Sequence, residues 1–456
     1  MYIARIQVEN VRGFYDRRAV DLDLTRPDGT YAGWTVIAGR NGSGKTSLLR
    51  ALALTISGPF MRGLAPSLPS WISADRPAGS TTVAVAVDHD VDRARQELPF
   101  SFASFSVRWG TLRPNASASM SALSSLRAGA GFELQASVDN EVQGERLGPW
   151  DDRSGGWFCA AYGPFRRLTG GSGDVQGLMQ APGPISRMAS LFHEDASLAE
   201  GVSWLIGWHL RSLEQRPGAA ELKKAALAVL GDGLLPDGFA VRSLDSEGLW
   251  VENGGRLFPL REMSDGYRSV AALVVDLLKQ LHETYGELEI DESAGFPRVM
   301  APGVVIIDEV DAHLHVSWQK RIGTWLKQHF PRIQFIVTTH SPYVCQSADR
   351  GGLIRLPGPD ENEPPTVVDE DLYERVVYGS GDDAVLSELF GLDTPYSDAA
   401  QHLRRELVEL EHAVVVGTAA PEQRERYGYL SRLLTSSPAT RVAEVAARLT
   451  DRSAEQ

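Results

Sequence analysis

Cysteine is nearly missing from the chain: its 456 residues include two, Cys159 and Cys345. They lie far apart and have no metal-ligand spacing. That excludes a disulfide framework or a zinc ribbon, and predicts buried thiols in a reducing, cytoplasmic setting. Long apolar runs are missing too. No stretch approaches the ~20 residues of a membrane span, and Met1-Tyr2-Ile3-Ala4-Arg5 lacks a signal-peptide layout, so no membrane partner is expected. Positive charge is in deficit, with 45 Lys and Arg against 59 Asp and Glu, a formal net charge of −14. A chain that coats nucleic acid through general basicity is thereby excluded, while a local basic groove stays open. Neither low-complexity tracts nor a repeat of solenoid period occur. The remaining composition is that of a globular protein, long enough for one large domain with additions or for two domains.

Against these absences stands one dense motif. Gly39-Arg40-Asn41-Gly42-Ser43-Gly44-Lys45-Thr46 satisfies G-x-x-x-x-G-K-[ST] at every fixed position. It follows the apolar run Trp34–Ala38 and precedes the helical pattern Leu48–Leu54, the strand–loop–helix setting the motif requires. The glycines let backbone N–H groups and a helix N-terminus face phosphate. Gly39, Asn41, Gly42, Ser43, Gly44, Lys45, Thr46 and Ser47 are the expected nucleotide contacts. Lys45 would meet the β/γ-phosphates and Thr46 would ligate Mg²⁺, so ATP and Mg²⁺ are the expected cofactors.

Around this motif the pattern is α/β. Residues 2–10 alternate, with Tyr2, Ala4, Ile6 and Val8 opposite Arg5, Gln7 and Glu9, and alternation resumes at Val20, Leu22 and Leu24. Two paired strands are predicted there. Thr82–Asp88, Phe100–Trp109 and Phe132–Val138 predict an antiparallel layer beside the nucleotide site. Gly156–Pro164 is continuously apolar and predicts a buried central strand that delivers Tyr162, Arg166 and Arg167 to a functional edge. The Gly-rich segment Gly170–Gly183 is expected to be mobile. A helical insertion follows over about residues 186–235, with Trp204 and Trp208 expected in the core. Phe239–Leu260 then predicts a hairpin with a third strand.

Met263-Ser264-Asp265-Gly266-Tyr267-Arg268-Ser269 opens the apolar helix Val270–Leu281. Ser-Asp-Gly is a common helix cap, and the segment also presents a helix N-terminus to an anion. Gly303–Ile307 is a buried strand that ends in Asp308-Glu309, a place where structure alone rarely puts two acids. Asp308 is the expected Mg²⁺ partner, and Glu309 the base or water-positioning residue. Asp311 and Ala312-His313-Leu314-His315 come next; the two histidines share no helical face and have no third ligand nearby. Ile333–Thr339 is another buried strand and ends at His340.

In this order the four elements resemble those of ABC-class ATPases. Ser264-Asp265-Gly266 resembles their LSGGQ-type signature, with Met for Leu and Asp for the first Gly. The resemblance implies that Ser264 and Gly266 bind the γ-phosphate held by a second copy, that Asp311 is a subunit contact, and that His340 senses the γ-phosphate. Transporter-type members place the signature about a hundred residues after the phosphate loop; here the interval from Thr46 to Ser264 is about twice as long. Long-armed SMC-type members need heptad arms and a hook Cys-x-x-Cys, which the sequence lacks. The compact RecF/OLD-like group remains. Asn10-Val11-Arg12-Gly13-Phe14, Ser264–Ser269 and Asp308–His315 are similar to its phrases, and Ala161-Tyr162-Gly163-Pro164-Phe165-Arg166-Arg167 resembles the ATPase subunit of Septu-type anti-phage systems.

That resemblance implies an ATP-hydrolysing regulator that forms a homodimer or higher homo-oligomer through an ATP sandwich and controls a separate HNH nuclease. Direct contact with DNA is a further expectation. A RecF-like DNA-repair ATPase and a nucleotide-sensing scaffold with little turnover are the alternatives. OLD-type nucleases add a TOPRIM domain, but no apolar strand leads into Asp369-Glu370-Asp371, and Pro357–Asp371 reads as a solvated loop, so no nuclease of its own is expected. No strand-ending glutamine fits the Q-loop role; Gln176 is a poor candidate. The expected fold is an ABC-type P-loop ATPase with a mixed central sheet, an antiparallel β layer, the helical insertion and a helical C-terminal tail. Residues 1–350 would form the ATPase domain and 351–456 the helical extension. In the tail, Leu403, Leu407, Leu410 and Val414 form one stripe, Pro421–Leu434 a second helix, and Val442, Val445 and Leu449 mark a third.

Overall fold

The structure is a computed structural model that describes residues 1–65, 68–93, 100–110, 132–138, 141–142, 147–151, 154–167, 173–181, 183–392 and 394–434. The segments Gly33–Ala38, Ile333–Thr339, Gly303–Ile307 and Cys159–Tyr162 are almost wholly buried and apolar. Strands of that composition need both faces covered, which suits a parallel sheet. They pair in parallel, in the order Leu353–Arg355, Gly33–Ala38, Ile333–Thr339, Gly303–Ile307, Cys159–Tyr162. Thr366–Val367 adds an antiparallel strand beyond Leu353–Arg355, so the sheet is mixed, as expected.

A second sheet holds the alternating segments. Its order is Val20–Asp23, Tyr2–Glu9, Ala78–Ala86, Phe102–Gly110, Phe132–Val138, Glu141–Val142, and every pairing is antiparallel. The phosphate-loop helix, Lys45–Ser57, packs on this layer and is buried over most of its length. In Tyr2–Glu9 the pairing slips at Ala4, which frees the backbone of Ile3. The side chain of Gln334, in the parallel sheet, accepts from Ile3 N at 2.7 Å and donates to Ile3 O at 2.9 Å. One buried amide therefore ties the two sheets together.

The insertion forms three helices, Pro184–Phe192, Ala199–Leu213 and Ala219–Gly231. Trp204 and Trp208 are half-buried rather than fully interior, and both rings pack on His282. The three-stranded sheet Ala240–Asp245, Gly248–Asn253, Arg256–Pro259 follows as predicted, then the long helix Asp265–Tyr285.

Several expectations change. The strand Cys159–Tyr162 lies at the end of the sheet order rather than at its centre; helices Pro184–Phe192 and Asp265–Tyr285 pack on it, which is why an edge strand can be fully apolar. Tyr162 does not reach a functional edge: its hydroxyl donates to the buried Asp276 at 3.0 Å. Within Gly170–Gly183, the described residues include a helix, Gly173–Met179. Pro357–Asp371 is not a free loop. Thr366–Val367 joins the sheet, and Asp369 caps the helix Glu370–Val377 by accepting from Leu372 N. The boundary also moves. Met1–Gly391 forms one compact unit and Leu392–Gln456 another, because Leu353–Arg355 pairs with the strand of the phosphate loop.

In the second unit, Ser397 caps the helix Asp398–Val416, and Pro421–Leu433 forms another helix. Arg426 pairs with Glu406 across the two at 2.7 Å. The stripe Leu403, Leu407, Leu410, Val414 is half-buried. The expected third tail helix, with Val442, Val445 and Leu449, lies outside the described residues.

Candidate nucleotide site

Strand pairing sets the geometry. Ala38 lies opposite Thr339, and Ile307 opposite Val337. The residues that follow these strands, Gly39 onward, Asp308 onward and His340, therefore emerge at the same carboxyl-terminal edge of three adjacent parallel strands. That edge is where open α/β sheets bind ligands.

The phosphate loop turns through Gly44, whose φ of +101° is left-handed; a Cβ there would also sit 2.7 Å from Phe14 Cζ. The phrase Asn10–Phe14 thus packs directly beneath the loop. Asn41 and Gly42 are exposed, while Ser43 is buried and its hydroxyl has no hydrogen-bond partner. Lys45 folds back, donating to Gly39 O at 2.8 Å and Arg40 O at 3.1 Å. Burial pushes its pKa down to about 8, against the opposing pull of Asp308, Glu309 and Asp311. An ammonium held by two loop carbonyls, an orphaned hydroxyl and an uncapped helix N-terminus fit a polyphosphate.

Asp308 is buried, and its Oδ1 accepts from Thr338 Oγ1 at 2.5 Å; the same hydroxyl accepts from Glu309 N at 2.8 Å. Thr46 lies in the first turn of the helix after the phosphate loop, and Asp308 directly follows the strand Gly303–Ile307. A carboxylate and a hydroxyl are oxygen donors of the kind that fit a hard cation such as Mg²⁺. Glu309 is half-buried, with φ at +44°. Burial raises its pKa, and the charges of Asp308 and Asp311 add to the rise. Asp311 accepts from Thr339 Oγ1 at 2.5 Å. At the rim, desolvation and then the Lys45 charge hold the His340 pKa below its ordinary value.

Ser264 occupies the N-cap of Asp265–Tyr285, yet its side chain makes no capping bond and is exposed. Gly266 lies against the Asp308–His315 segment: a Cβ would stand 2.5 Å from His313 O. The signature is thus next to the acid turn of its own chain. His315 caps a short helix, its Nδ1 accepting from Ser317 N. Gln176 is exposed on Gly173–Met179. Arg166 is drawn inside, and Arg167 lies over the Phe165 ring.

Four contributors are not evident from sequence. Thr338 and Thr339 organise the acids; the available signal is a pair of hydroxyls closing an apolar strand just before His340. Arg18, also buried, donates to Ser43 O at 3.4 Å, to Pro357 O, to Gly358 O and to Glu361 O, fastening the phosphate loop to the segment after Leu353–Arg355. Arg40 pairs with Asp360 on that same segment at 3.2 Å.

Residues 193–346 match the family described as "AAA domain, putative AbiEii toxin, Type IV TA system", and residues 5–90 match a second family described as "AAA domain". Two stretches of the chain, one holding the phosphate loop and one holding Asp308, Glu309 and His340, are thus similar to AAA-type domains. The chain is 23% identical over 362 residues to the Septu protein PtuA of Bacillus mycoides (strain KBAB4), covering 79% of this chain and 41% of that one. It is 33% identical over 138 residues to the Septu protein PtuA of Bacillus thuringiensis, 29% of this chain and 32% of that one. With the Retron Ec83 probable ATPase of Escherichia coli it shares 40% identity over 101 residues, 22% and 17% of the two chains. The matches thus span less than half of each of these relatives. Among solved structures, the SMC head bound to the C-winged helix domain of ScpA aligns with a TM-score of 0.48 at 15% identity, covering 81% of this chain and 98% of that one. Among the described residues no helix is long and apolar enough to cross a membrane.

Proposed function

We propose that the chain is an ATPase that sandwiches two ATP–Mg²⁺ between two copies and acts as the regulatory subunit of an anti-phage complex, controlling a separate nuclease of the HNH type. The observation that carries this reading is the common edge where the phosphate loop, the Asp308-Glu309 pair and His340 emerge from adjacent strands. The exposed, uncommitted Ser264 supports the composite site: a hydroxyl at a helix N-terminus is left to serve an anion of another copy. The Septu and retron relatives support the defence role.

In this reading Lys45 leaves the carbonyls of Gly39 and Arg40 for the β/γ-phosphates, and Thr46 and Asp308 hold the cation. Mg²⁺ supplies neutralisation of the charge that develops on the phosphates. Glu309 orients the attacking water and accepts its proton, a task helped by its raised pKa. His340 contacts the γ-phosphate, and Asp311 meets the partner copy.

Glu309→Gln is expected to keep ATP affinity, to lower turnover by at least ~100-fold and to accumulate as an ATP-bound dimer. Size-exclusion chromatography with and without ATP reads the dimer, and a mutant that stays monomeric with ATP overturns the sandwich. Recovery of the tagged variant from its own cells with ATP should bring down a stoichiometric nuclease. Repair factors and DNA-stimulated turnover would instead favour a RecF-like role.

A further inference from the structure

The turn after Gly303–Ile307 carries both Glu309 and Asp311, and it runs where ordinary secondary structure cannot satisfy it. Glu309 and His313 have φ of +44° and +65°. The N–H groups of the turn are spent locally or on Ile333–Thr339: Glu309 N on Thr338 Oγ1, Val310 N on Thr338 O, Ala312 N on Glu309 O. The carbonyls converge instead on one side chain. Arg166 Nη1 donates to Gly163 O at 3.0 Å and Asp308 O at 3.2 Å. Its Nη2 donates to Glu309 O at 3.2 Å, Val310 O at 3.3 Å and Ala312 O at 3.3 Å.

Arg166 is 2% exposed. It is hydrogen-bonded to carbonyls and makes no ion pair with a carboxylate among the described residues, although the charges of Asp311, Asp308 and Glu309 act on it. A buried cation is costly unless its donors are used, and here they are used on the backbone of the turn. The planar fork of five N–H donors is what lets one side chain serve carbonyls spread over residues 308–312; a lysine ammonium donates from a single point. Arg166 also bonds to Gly163 at the end of Cys159–Tyr162, so the turn is fastened to the neighbouring strand.

We propose that Arg166 is a positioning residue of the ATPase site, holding the turn that aims Glu309 and Asp311. It touches no expected nucleotide contact; it acts through the backbone of the two acids. The inference rests on the reading of Glu309 as the hydrolytic residue. It also accounts for the Arg-Arg pair after Gly163-Pro164-Phe165, of which the first member grips the turn. Both arginines line a pocket of about 220 Å³ together with Phe165, Asp265, Arg268, Ser269 and His313.

The test compares Arg166→Lys and Arg166→Met with wild type in the full chain. ATP dissociation constants, kcat, and amide exchange of peptides covering residues 308–314 are measured, with Phe102–Gly110 as the internal control. In Arg166→Lys, ATP affinity should stay within ~3-fold, kcat should fall at least ~10-fold, and exchange at 308–314 should rise at least ~10-fold while the control is unchanged. Arg166→Met should show the same split, more deeply. Unchanged exchange at 308–314, or kcat of Arg166→Lys within ~2-fold of wild type, overturns the proposal. Loss of protection throughout both variants also overturns it, since Arg166 would then serve folding as a whole. If wild type does not turn ATP over, the reading of Glu309 fails, and local exchange in Arg166→Lys alone decides whether Arg166 holds the turn.

Discussion

At the residue scale, buried polar groups show how tightly this site is tied to its core. Tyr162 accepts Asp308 N through its carbonyl at 2.8 Å and donates its hydroxyl to Asp276 on the signature helix. Burial pushes the Asp276 carboxyl up from 3.8 to about 6, with Lys279, Tyr162 and Gln280 opposing and Glu283 assisting. The folded state therefore holds this proton more tightly than the unfolded chain does. Stability from the group is full below about pH 4 and is lost as pH rises through about 6, by about 3 kcal/mol at roughly 1.4 kcal/mol per pKa unit. Asp276→Asn keeps an acceptor for Tyr162 and removes the charge. Its melting temperature should exceed that of wild type at pH 7.5, with the difference shrinking toward pH 4.5. A variant that melts lower at pH 7.5 would show that Asp276 is ionised and useful there.

At the element scale, the two sheets share a buried polar joint. Gln334 is a polar residue within the buried strand Ile333–Thr339. In the fold it satisfies both backbone groups of Ile3 where the register slips. Gln334→Leu leaves a buried N–H and a buried C=O unpaired, at about 2–4 kcal/mol. Denaturant unfolding should show that loss, with an m-value close to wild type. A change below ~0.5 kcal/mol would mean that water or a shifted strand replaces the amide. The matched roles of Thr338 and Thr339 also arise at a strand end: two successive hydroxyls meet Asp308 and Asp311 on the neighbouring turn.

At the scale of the whole molecule, the unit that holds the phosphate loop reaches Gly391 and the helical pair beyond it belongs to a second unit. The helix Asp398–Val416 has no fully buried residue, and Val415 is 80% exposed. Ending the chain at Gly391 should leave ATP affinity within ~2-fold and the unfolding of the first unit unchanged. Ending it at Gly352 removes Leu353–Arg355 and the Pro357, Gly358 and Glu361 carbonyls that receive Arg18, and should abolish both ATP binding and cooperative unfolding. Equal loss of ATP binding in the two truncations would contradict the division. Analytical ultracentrifugation of the Gly391 form with ATP separates assembly through the nucleotide site from assembly through the tail.

Local pattern determined much of this protein by itself. The phosphate loop, the acid pair, the signature segment and the strand ending at His340 are each a short run whose chemistry and flanking periodicity lie within a dozen residues, and the alternating strands show their buried faces directly. Tertiary structure alone decided which groups complete the site. Arg166 meets its carbonyls about 142–146 positions away, Arg18 meets Pro357 339 positions away, and Gln334 meets Ile3 331 positions away. Leu353–Arg355, three residues long, is too short to carry a period, so its place beside Gly33–Ala38 was not legible. Tyr162 turned inward for a similar reason: a strand shows that it is buried, whereas the partner its hydroxyl needs is supplied by a helix more than a hundred residues further on.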